Sequence, residues 1–385
     1  MNSSRAIYLD HNATTPMDPR VFEAMRPYFM EEFGNAASGH VFGRHAADAV
    51  AKSRQQVAKI LSADPRGIVF TSGATESNNL ALKGIAEAYR DKGKHLITQV
   101  TEHKCVIDTC HHLERLGYEI TWLGVDKTGR IRIDELKDAL RPDTLAVSIM
   151  WANNETGTVQ PMREIAQLCK EAGVLFHTDA TQAVGKLPID VNADGIDLLS
   201  LSAHKFYGPK GSGVLYVKRD VRLIAQIDGG GHQDGMRSGT LNVTGIVGLG
   251  AACEVAQKEL AEESKLLRSL RDRLEWGIRG HLHDIAVNGN MAHRLPHVTN
   301  LAFPGVDSSI LIRSLNDVAV SSGSACSTGS TEPSYVLKAL GIPRELAQGS
   351  IRFSLGRSND EKQIDRAVER VVAVVNHLRG TVAVH

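Results

Sequence analysis

The 385-residue sequence predicts an α/β protein, with a mostly parallel seven-stranded sheet in its larger part and a smaller C-terminal α/β domain. Three observations predict this fold class. Seven short β-rich runs, several of them almost continuously apolar, are typical of strands that are covered on both faces. Helical patterns lie between many of these runs, and such alternation is typical of a parallel sheet. Near residue 260 the sequence changes to a long, highly charged helical stretch, which indicates a second domain.

The predicted elements of the larger part follow in chain order. Strands are expected at residues 68–71, 95–100, 118–123, 145–150, 174–178, 197–202 and 213–217. Helical patterns between them include residues 78–92 and 162–172. In such sheets, ligands bind at the carboxyl ends of strands, where loops meet helix N-termini. The polar motifs that follow these strands are therefore expected to form one site.

The C-terminal part begins with an amphipathic helix at residues 258–281. Its apolar stripe consists of Leu260, Leu267, Leu270 and Leu274. Beyond it lie shorter strands, a Gly/Ser-rich loop at 321–330 and a terminal helix from about residue 360 to about residue 379. We predict a large domain at residues 15–260 and a small domain at residues 261–385, which the N-terminal segment 1–14 joins.

Composition excludes several classes of protein. Lysine plus arginine equals aspartate plus glutamate, at 44 each, which argues against a general electrostatic role on nucleic acid or membranes. We find no apolar run of the length a membrane span needs and no signal-peptide pattern at the N-terminus, so we expect a cytoplasmic protein. The five cysteines lack the spacing of a disulfide framework and are expected to be reduced.

A turn after the first predicted strand has the composition of an anion site. The residues Ser72-Gly73-Ala74-Thr75-Glu76 open a helical pattern, and their backbone N–H groups and hydroxyls suit a phosphate. The alternative is an ordinary helix start, because serine and threonine favour N-caps.

Asp179 ends another predicted strand, and Gln182 lies one turn farther on. A carboxylate at a strand end is often a turn or cap residue. It is also the group that keeps a pyridine nitrogen protonated in enzymes that use pyridoxal 5'-phosphate (PLP), so that the ring remains an electron sink.

Lys205 follows the strand at 197–202, within Ser202-Ala203-His204-Lys205. A lysine here could lie on the surface. Because Ser202 and His204 beside it could bind a phosphate, Lys205 also suits the amine that forms a Schiff base.

His103 and Asn154 follow two further strands. The histidine could cap a helix or fill a buried polar pocket, and asparagine favours turns in any case. If they face a cofactor, the imidazole can stack on its ring and move protons, while the amide can bond a ring oxygen.

Cys326 lies in a polar, glycine-punctuated segment, which is not typical of a buried structural cysteine, and we predict a functional thiol. The other cysteines are predicted to be structural: Cys105, Cys110, Cys169 and Cys253.

Arg352 could hold a substrate carboxylate through two hydrogen bonds, or form a structural ion pair. The histidine pairs near residues 281 and 293 lack companion ligands, so no metal is assigned.

The order of these motifs carries a specific resemblance. The sequence contains Tyr8-Leu9-Asp10-His11-Asn12-Ala13-Thr14-Thr15-Pro16, Phe33-Gly34-Asn35, Thr71-Ser72-Gly73-Ala74-Thr75-Glu76-Ser77-Asn78-Asn79, Thr101-Glu102-His103-Lys104, Asn153-Asn154-Glu155, Asp179-Ala180-Thr181-Gln182, Ser202-Ala203-His204-Lys205 and Ser322-Gly323-Ser324-Ala325-Cys326. From about residue 6 to about residue 379 it resembles the group I cysteine desulfurases of the NifS/IscS kind, which are class V aminotransferase-like PLP enzymes.

The resemblance implies the type I PLP-dependent transferase fold, a homodimer, and a role for each matching residue. Lys205 resembles the Schiff-base lysine, Asp179 the partner of the pyridine nitrogen, and His103 the ring-stacking catalytic residue. Residues matching those that bond the ring oxygen are Asn154 and Gln182, and those matching the phosphate cup are Ala74, Thr75, Ser202 and His204.

The resemblance also implies the substrate and the product. Asn35 and Arg352 match the clamp for the carboxylate of L-cysteine, and Thr240 matches a residue that reaches the phosphate of the neighbouring subunit. Cys326 matches the cysteine that takes the sulfur as a persulfide, leaving L-alanine. The sulfur would pass to an acceptor protein, such as an iron–sulfur scaffold, for iron–sulfur cluster assembly or tRNA thiolation.

Three alternatives compete with this interpretation of the sequence. The same fold could carry out transamination or β-elimination, neither of which needs the thiol of Cys326. The chain could be a non-catalytic sulfur-transfer scaffold, against which Lys205 and Asp179 argue. A nucleotide-binding protein would need a glycine-rich or P-loop pattern after a strand, and we find neither.

Overall fold

The computed structural model describes residues 6–322 and 333–382. Its strands are β1 (Ile7–Tyr8), β2 (Ile68–Thr71), β3 (His95–Gln99), β4 (Glu119–Leu123), β5 (Thr144–Ser148), β6 (Leu175–Asp179), β7 (Leu198–Ser202), β8 (Gly213–Val217), β9 (Ala286–Val287), β10 (Val298–Ala302), β11 (Val318–Ala319) and β12 (Ser350–Ser354). Its α-helices are α1 (Pro19–Met25), α2 (Pro27–Met30), α3 (Val41–Leu61), α4 (Ala74–Ala88), α5 (Lys104–Arg115), α6 (Ile133–Ala139), α7 (Met162–Ala172), α8 (Val243–His281), α9 (Ser308–Ser314), α10 (Tyr335–Ala339), α11 (Arg344–Gln348) and α12 (Glu361–Val382). Short 3-10 helices occur at Pro65–Gly67 and Ala203–Lys205.

The central sheet has seven strands in the order β2-β8-β7-β6-β5-β3-β4. Strand β8 is antiparallel to both of its neighbours, and the other pairings are parallel. Strands β3, β5, β7 and β8 are buried along their whole length, as expected for strands that helices cover on both faces. The prediction of a mostly parallel, seven-stranded sheet is confirmed.

A second, smaller core lies towards the C-terminus. It is built on the antiparallel sheet β9-β10-β12 and on the parallel pair β1-β11. One hydrophobic cluster joins Leu9 at the start of the chain to Leu274 of α8, Phe353 of β12 and Val371 of α12. The apolar side chains of Ile7 and Leu9 therefore pack with the last 120 or so residues of the chain rather than with the central sheet.

Helix α8 is 39 residues long and connects the two cores. It begins at Val243, whereas the apolar stripe predicted a start at 258. Its first turns are rich in glycine because neighbouring side chains approach the backbone closely. A Cβ atom on Gly248 would lie 2.4 Å from Met25 Sδ, and one on Gly250 would lie 2.8 Å from Ser53 Cβ. Glycine is a poor helix former, so the sequence pattern did not show this half of the helix.

The parallel strands bring several loops to one edge of the central sheet. The segments after β7, β6, β5 and β3 are neighbours there because these strands are adjacent in the sheet. Helix α4 begins after β2 at the same edge. In the described residues, no helix is long and apolar enough to cross a membrane.

Candidate active site

A cavity of about 1080 Å³ opens at the carboxyl edge of the central sheet. Its wall includes Asp179 at the end of β6, His103 after β3, Asn154 after β5 and Lys205 after β7. The predicted residues Ala74, Thr75, Gln182, Ser202, His204 and Arg352 also line it. Clefts at this edge are the usual ligand sites of open α/β sheets. The structure thus brings most of the predicted site residues together.

Asp179 forms the floor of the cavity and is 5% exposed. Its Oδ2 accepts a hydrogen bond of 2.7 Å from Asn78 Nδ2, and its Oδ1 accepts one of 3.0 Å from the backbone N–H of Thr181. Two donors hold the carboxylate in a fixed orientation, as is usual for buried polar groups. Asp179 therefore takes the turn role that the sequence suggested and also presents its carboxylate to the cavity, where the binding role stays a prediction.

The N-terminus of α4 meets the cavity at Gly73, Ala74 and Thr75. Gly73 has a φ of 155°, a conformation that favours glycine, and no side chain caps the helix there. A Cβ atom on Gly73 would lie 3.6 Å from Ser202 Oγ, so this hydroxyl stands beside the turn. Helix N-termini present N–H groups and a positive dipole end, which together suit a phosphate.

His204 stands on the same part of the wall. Its Nδ1 lies 3.0 Å from Thr14 Oγ1. Burial, helped by the charges of Lys205 and Lys210, lowers the pKa of His204 to about 4. The imidazole is therefore neutral near pH 7 and presents hydrogen-bonding atoms rather than a positive charge to the cavity.

Lys205 ends the short 3-10 helix after β7 and projects its amine towards the N-terminal segment. Lys205 Nζ donates to the carbonyl oxygens of Asn12 (2.7 Å) and Ala13 (2.8 Å). Gln182 Nε2 donates to the same oxygen of Asn12 at 3.1 Å. The amine of Lys205 and the side-chain amide of Gln182 are therefore anchored to one backbone carbonyl.

Arg352, on β12, brings the smaller core to the cavity. Its Nη2 is 2.7 Å from Asp10 Oδ1, and its Nη1 donates to the carbonyl oxygen of Asn154 at 3.0 Å. Within the described residues, Arg352 Nε and Asn154 Oδ1 are buried side-chain atoms without a hydrogen-bond partner. Arg352 thus forms the ion pair that the sequence offered as an alternative, and still has hydrogen-bonding capacity on the cavity wall.

His103 caps helix α5. Its Nδ1 accepts a hydrogen bond of 3.2 Å from the backbone N–H of Cys105. Burial lowers the pKa of His103, while the nearby carboxylate of Asp179 opposes that shift. The capping role suggested by the sequence is real, and the ring also lies on the cavity wall.

Two residues of the site were missed by the sequence analysis. Asn12 accepts from Lys205 and Gln182 through its backbone oxygen, and its Nδ2 donates to the carbonyl of Asn154 at 2.9 Å. Asn12 lies in one of the motifs that carry the resemblance, but a backbone acceptor leaves no signature in residue type. Cys105, predicted to be structural, lines the cavity, whereas Cys110, Cys169 and Cys253 are buried.

Three predicted residues are not part of the described wall. Asn35 and Thr240 are exposed and do not line the cavity of their own chain. Cys326 lies outside the described residues. The chain on either side of it is attached at the cavity: Ser321 pairs with Arg352 through backbone hydrogen bonds, and Ser334 Oγ donates to Glu155 Oε2.

The donor set of the cavity fits PLP. A helix N-terminus without a side-chain cap, with Ser202 and neutral His204 beside it, suits the phosphate. A buried carboxylate, Asp179, suits a protonated ring nitrogen, and a lysine amine, Lys205, stands at the same cavity. Among residues 6–322 and 333–382, no group of three His, Cys, Asp or Glu side chains could hold a metal ion.

Comparisons with known proteins agree with this geometry. Residues 7–367 match the family model described as aminotransferase class-V. The chain is 56% identical over 376 residues to the cysteine desulfurase IscS of Anaeromyxobacter sp. (strain Fw109-5), covering 97% of this chain and 93% of that one. It is 50% identical to a cysteine desulfurase of Homo sapiens, covering 97% of this chain and 83% of the human protein.

Solved structures give the same result. A NifS-like protein superposes with a TM-score of 0.91 at 37% identity, covering 97% of this chain and all of that chain. A structure described as SspA in complex with cysteine superposes with a TM-score of 0.82 at 38% identity, covering 91% of this chain and 99% of that one.

Proposed function

We propose roles for the residues of this cavity on one premise: the chain belongs to the class-V aminotransferase family, as a PLP-dependent cysteine desulfurase. Such an enzyme converts L-cysteine to L-alanine and mobilises the sulfur. The observation that carries the proposal is that Lys205, Asp179 and His103, from the ends of three parallel strands of the central sheet, line one cavity with Arg352.

The residues of the cavity would hold the cofactor in three ways. Lys205 would bind it covalently, and Asp179 would bond its ring nitrogen. Asn154 and Gln182 would bond its ring oxygen. Four residues at or beside the start of α4 would bind its phosphate: Ala74, Thr75, Ser202 and His204. When bound, PLP supplies an electron sink for the charge that develops on the substrate carbon.

Arg352 binds the carboxylate of L-cysteine. A guanidinium presents five N–H donors, and contacts to Asp10 and Asn154 use part of that capacity. These same contacts fix the plane of the guanidinium, so that little side-chain entropy is lost when the substrate binds. Asn35 completes the clamp in this proposal.

Two side chains move protons. Lys205 Nζ takes the proton from the substrate α-carbon. His103 Nε2 is the ring atom free to exchange a proton with the substrate, because Nδ1 is occupied in capping α5.

Cys326 receives the sulfur. Its thiolate forms an S–S bond to the sulfur of the substrate while the substrate C–S bond breaks, and that electron pair stays with the carbon. Protonation of the carbon yields alanine, so that a cysteine thiol and L-cysteine become a persulfide and L-alanine without an external oxidant. The attachment of Ser321 and Ser334 to cavity residues supports this role, because Cys326 is five residues from Ser321.

We further propose a homodimer in which Thr240 reaches the phosphate site of the partner subunit. An apolar surface patch is formed by Phe29, Met30, Phe33 and Phe42, and Met30 is 84% exposed. Thr244 Oγ1, four residues beyond Thr240, donates to the carbonyl of Tyr28 at 3.1 Å, which places this segment beside the patch. Exposed apolar patches of this kind mark protein interfaces.

The persulfide of Cys326 would pass its sulfur to an acceptor protein, for iron–sulfur cluster assembly or tRNA thiolation. The curated relatives named IscS support an iron–sulfur scaffold as that acceptor. A cytoplasmic location fits such a role.

The test measures alanine and sulfide released from L-cysteine with a reductant, together with the visible band of the cofactor. We expect equal alanine and sulfide from the wild type. Cys326→Ala should keep the band and lose turnover, whereas Cys169→Ala, which removes a buried thiol outside the site, should keep both. Sustained alanine release by Cys326→Ala would show that Cys326 is not the sulfur acceptor, and pyruvate in place of alanine would replace the desulfurase mechanism with β-elimination.

A further inference from the structure

A second thiol, Cys105, connects two groups of the active site. Its Sγ lies 3.0 Å from His103 Nδ1. On its other side, Asn78 Nδ2 donates to Cys105 Sγ at 3.1 Å and to Asp179 Oδ2 at 2.7 Å. A continuous series of polar contacts therefore runs from the carboxylate on the cavity floor to the imidazole on its wall.

The backbone fixes the direction of the contact between Cys105 and His103. The backbone N–H of Cys105 can only donate, and it points to His103 Nδ1 at 3.2 Å. His103 Nδ1 is therefore an acceptor without a proton, and the thiol at 3.0 Å must donate to it. The proton of the neutral ring then lies on Nε2.

We propose that Cys105 is a positioning residue for His103, whose thiol donates to Nδ1 and thereby holds the ring proton on Nε2. The inference rests on the proposed function, because it is His103 Nε2 that exchanges a proton with the substrate. Two donors at Nδ1 fix both the tautomer and the orientation of the ring.

The surroundings keep Cys105 in the thiol form that this role requires. Burial, with a further contribution from the charge of Asp179, raises the pKa of Cys105 to about 12, and the donor Asn78 only partly opposes the shift. Glu102 acts in the same direction as Asp179. A thiol this weakly acidic is a poor nucleophile, so Cys105 does not compete with Cys326 for the substrate sulfur.

The proposal predicts the sign of a pH effect. His103 faces Asp179, Lys205, Asp108 and the thiol of Cys105, and burial lowers its pKa. Donors at Nδ1 oppose protonation of that atom. Deleting the S–H removes one of two such donors, so the pKa of His103 should rise.

The first experiment is nitrogen NMR of the ¹⁵N-histidine-labelled protein without added cofactor or cysteine. The resonances missing from His103→Gln identify His103. We expect the wild-type ring to be neutral near pH 7 with its proton on Nε2. A proton on Nδ1 would overturn the proposal without the need for any Cys105 variant.

Substitutions at Cys105 then separate hydrogen bonding from packing. Cys105→Val fills similar space but cannot donate, and Cys105→Ser donates through its hydroxyl. Valine should raise the pH at which the ring becomes charged and lower kcat about 2- to 12-fold, the equivalent of one ordinary hydrogen bond, with little change in KM. Serine should retain the wild-type tautomer and pH profile. If valine and serine behave alike, the thiol only fills space and the proposal fails.

Cys110→Val supplies the matched control. Cys110 lies five residues along the same helix, is fully buried and does not line the cavity. The same substitution there should leave the resonances of His103 unchanged, and a shift would indicate a general disturbance of α5.

If wild type releases no alanine from cysteine, the proposed function fails, but the tautomer measurement still decides the role of Cys105.

Discussion

Arg352 and Arg357 are five residues apart, and both are paired with carboxylates, yet only Arg352 lines the cavity. Arg352→Lys should raise KM for L-cysteine about 10- to 150-fold. Lysine cannot hold a carboxylate through two parallel hydrogen bonds, so the variant loses one hydrogen bond between charged groups. The rate at saturating cysteine should fall much less. Steady-state kinetics of alanine release measures both quantities.

Arg357→Lys is the control for this prediction. Arg357 bonds Asp18 and Glu263 and stacks over the ring of Tyr207, 3.9 Å from its centroid. Its substitution should lower the midpoint of thermal unfolding and leave KM unchanged. An equal rise of KM in both variants would mean that Arg352 acts through the structure rather than by binding the substrate.

At the scale of single residues, the sequence could identify side chains whose type is chemically distinctive. Asp179, Lys205, His103 and Arg352 belong to this group, and the cavity contains all four. Asn12 could not be assigned a role, because it acts largely through a backbone carbonyl that any residue possesses. For His103 the sequence offered capping and catalysis as alternatives, although one nitrogen can cap while the other faces the site.

At the scale of elements, the start of α4 depends on the strand beside it. A Cβ atom on Gly213 of β8 would lie 2.5 Å from Gly73 Cα, a contact that cannot be made without moving the backbone. Gly213→Ala should therefore displace the turn that presents Ala74 and Thr75. We expect cofactor binding to be weaker by about 5- to 150-fold, from an overpacking cost of about 1–3 kcal/mol. Titration of the visible band with PLP measures it.

Gly280→Ala is the matched control for Gly213→Ala. Gly280 lies near the end of α8, and a Cβ atom there would meet nothing within 4 Å. Alanine favours a helix over glycine, so this variant should be as stable as wild type or slightly more so, with unchanged cofactor binding. Normal cofactor binding by Gly213→Ala would show that β8 does not position the turn that presents Ala74 and Thr75.

The elements that the sequence predicted best are those whose residues all have the same surroundings along the whole element. Strands β2 and β8 have the predicted bounds because they are short, apolar and fully buried. Helix α8 was predicted only in its second half, where leucines pack into the smaller core at helical spacing. Its first half packs against α1 and α3, and close approach there selects glycine in place of an apolar stripe.

At the scale of the whole molecule, the two hydrophobic cores support a division into a large domain, 15–260, and a small domain, 261–385, which we propose as the domain boundaries. Leu9 packs in the same cluster as Leu274, which supports joining segment 1–14 to the small domain. Arg352 lies on the small-domain side and Lys205 on the large-domain side of one cavity. The substrate clamp and the reactive amine would thus come from different domains.

Buried histidines make the stability of the whole molecule depend on pH. His11 is 2% exposed, and burial lowers its pKa to about 4 from an ordinary value of about 6.5. Below pH 6.5 the unfolded chain binds a proton that the folded chain does not, so the free energy of unfolding should fall as pH drops from 6.5 to 4. One such histidine contributes about 3 kcal/mol over this window, and buried His177, whose pKa is also lowered to about 4, adds to the loss.

Urea unfolding at several pH values between 7 and 4 tests this prediction. His11 Nδ1 lies 3.1 Å from the carbonyl oxygen of Ser354, and asparagine places an amide donor in a similar position. His11→Asn should be less stable at pH 7 but lose less stability on acidification. His283→Asn, which changes an exposed side chain, should follow the wild-type curve. Parallel pH curves for wild type and His11→Asn would contradict the assignment.

The proposed dimer can be tested by mixing two variants whose active sites are each impaired. Lys205→Ala removes the reactive amine, and Thr240→Ala removes the hydroxyl that we place at the partner's phosphate site. In a mixed dimer, the Thr240→Ala subunit keeps its own Lys205 and receives Thr240 from its partner, so that one of its two sites is complete. With half of the dimers mixed, about a quarter of wild-type activity should return after the two variants are unfolded and refolded together.

This result depends on the site that Thr240 serves, and not only on association. If Thr240 acted in its own subunit, each site of a mixed dimer would lack one residue, and activity would remain at the mean of the two variants. A variant carrying both substitutions, mixed with wild type, is the control for refolding. This mixture should show no more activity than its wild-type subunits would give by themselves. Met30→Asp should weaken association, because it places a charge in the exposed apolar patch, and should abolish complementation without touching the described cavity. Recovery of activity by the two single variants, and its loss with Met30→Asp, would support both the interface and an active site completed by the partner subunit.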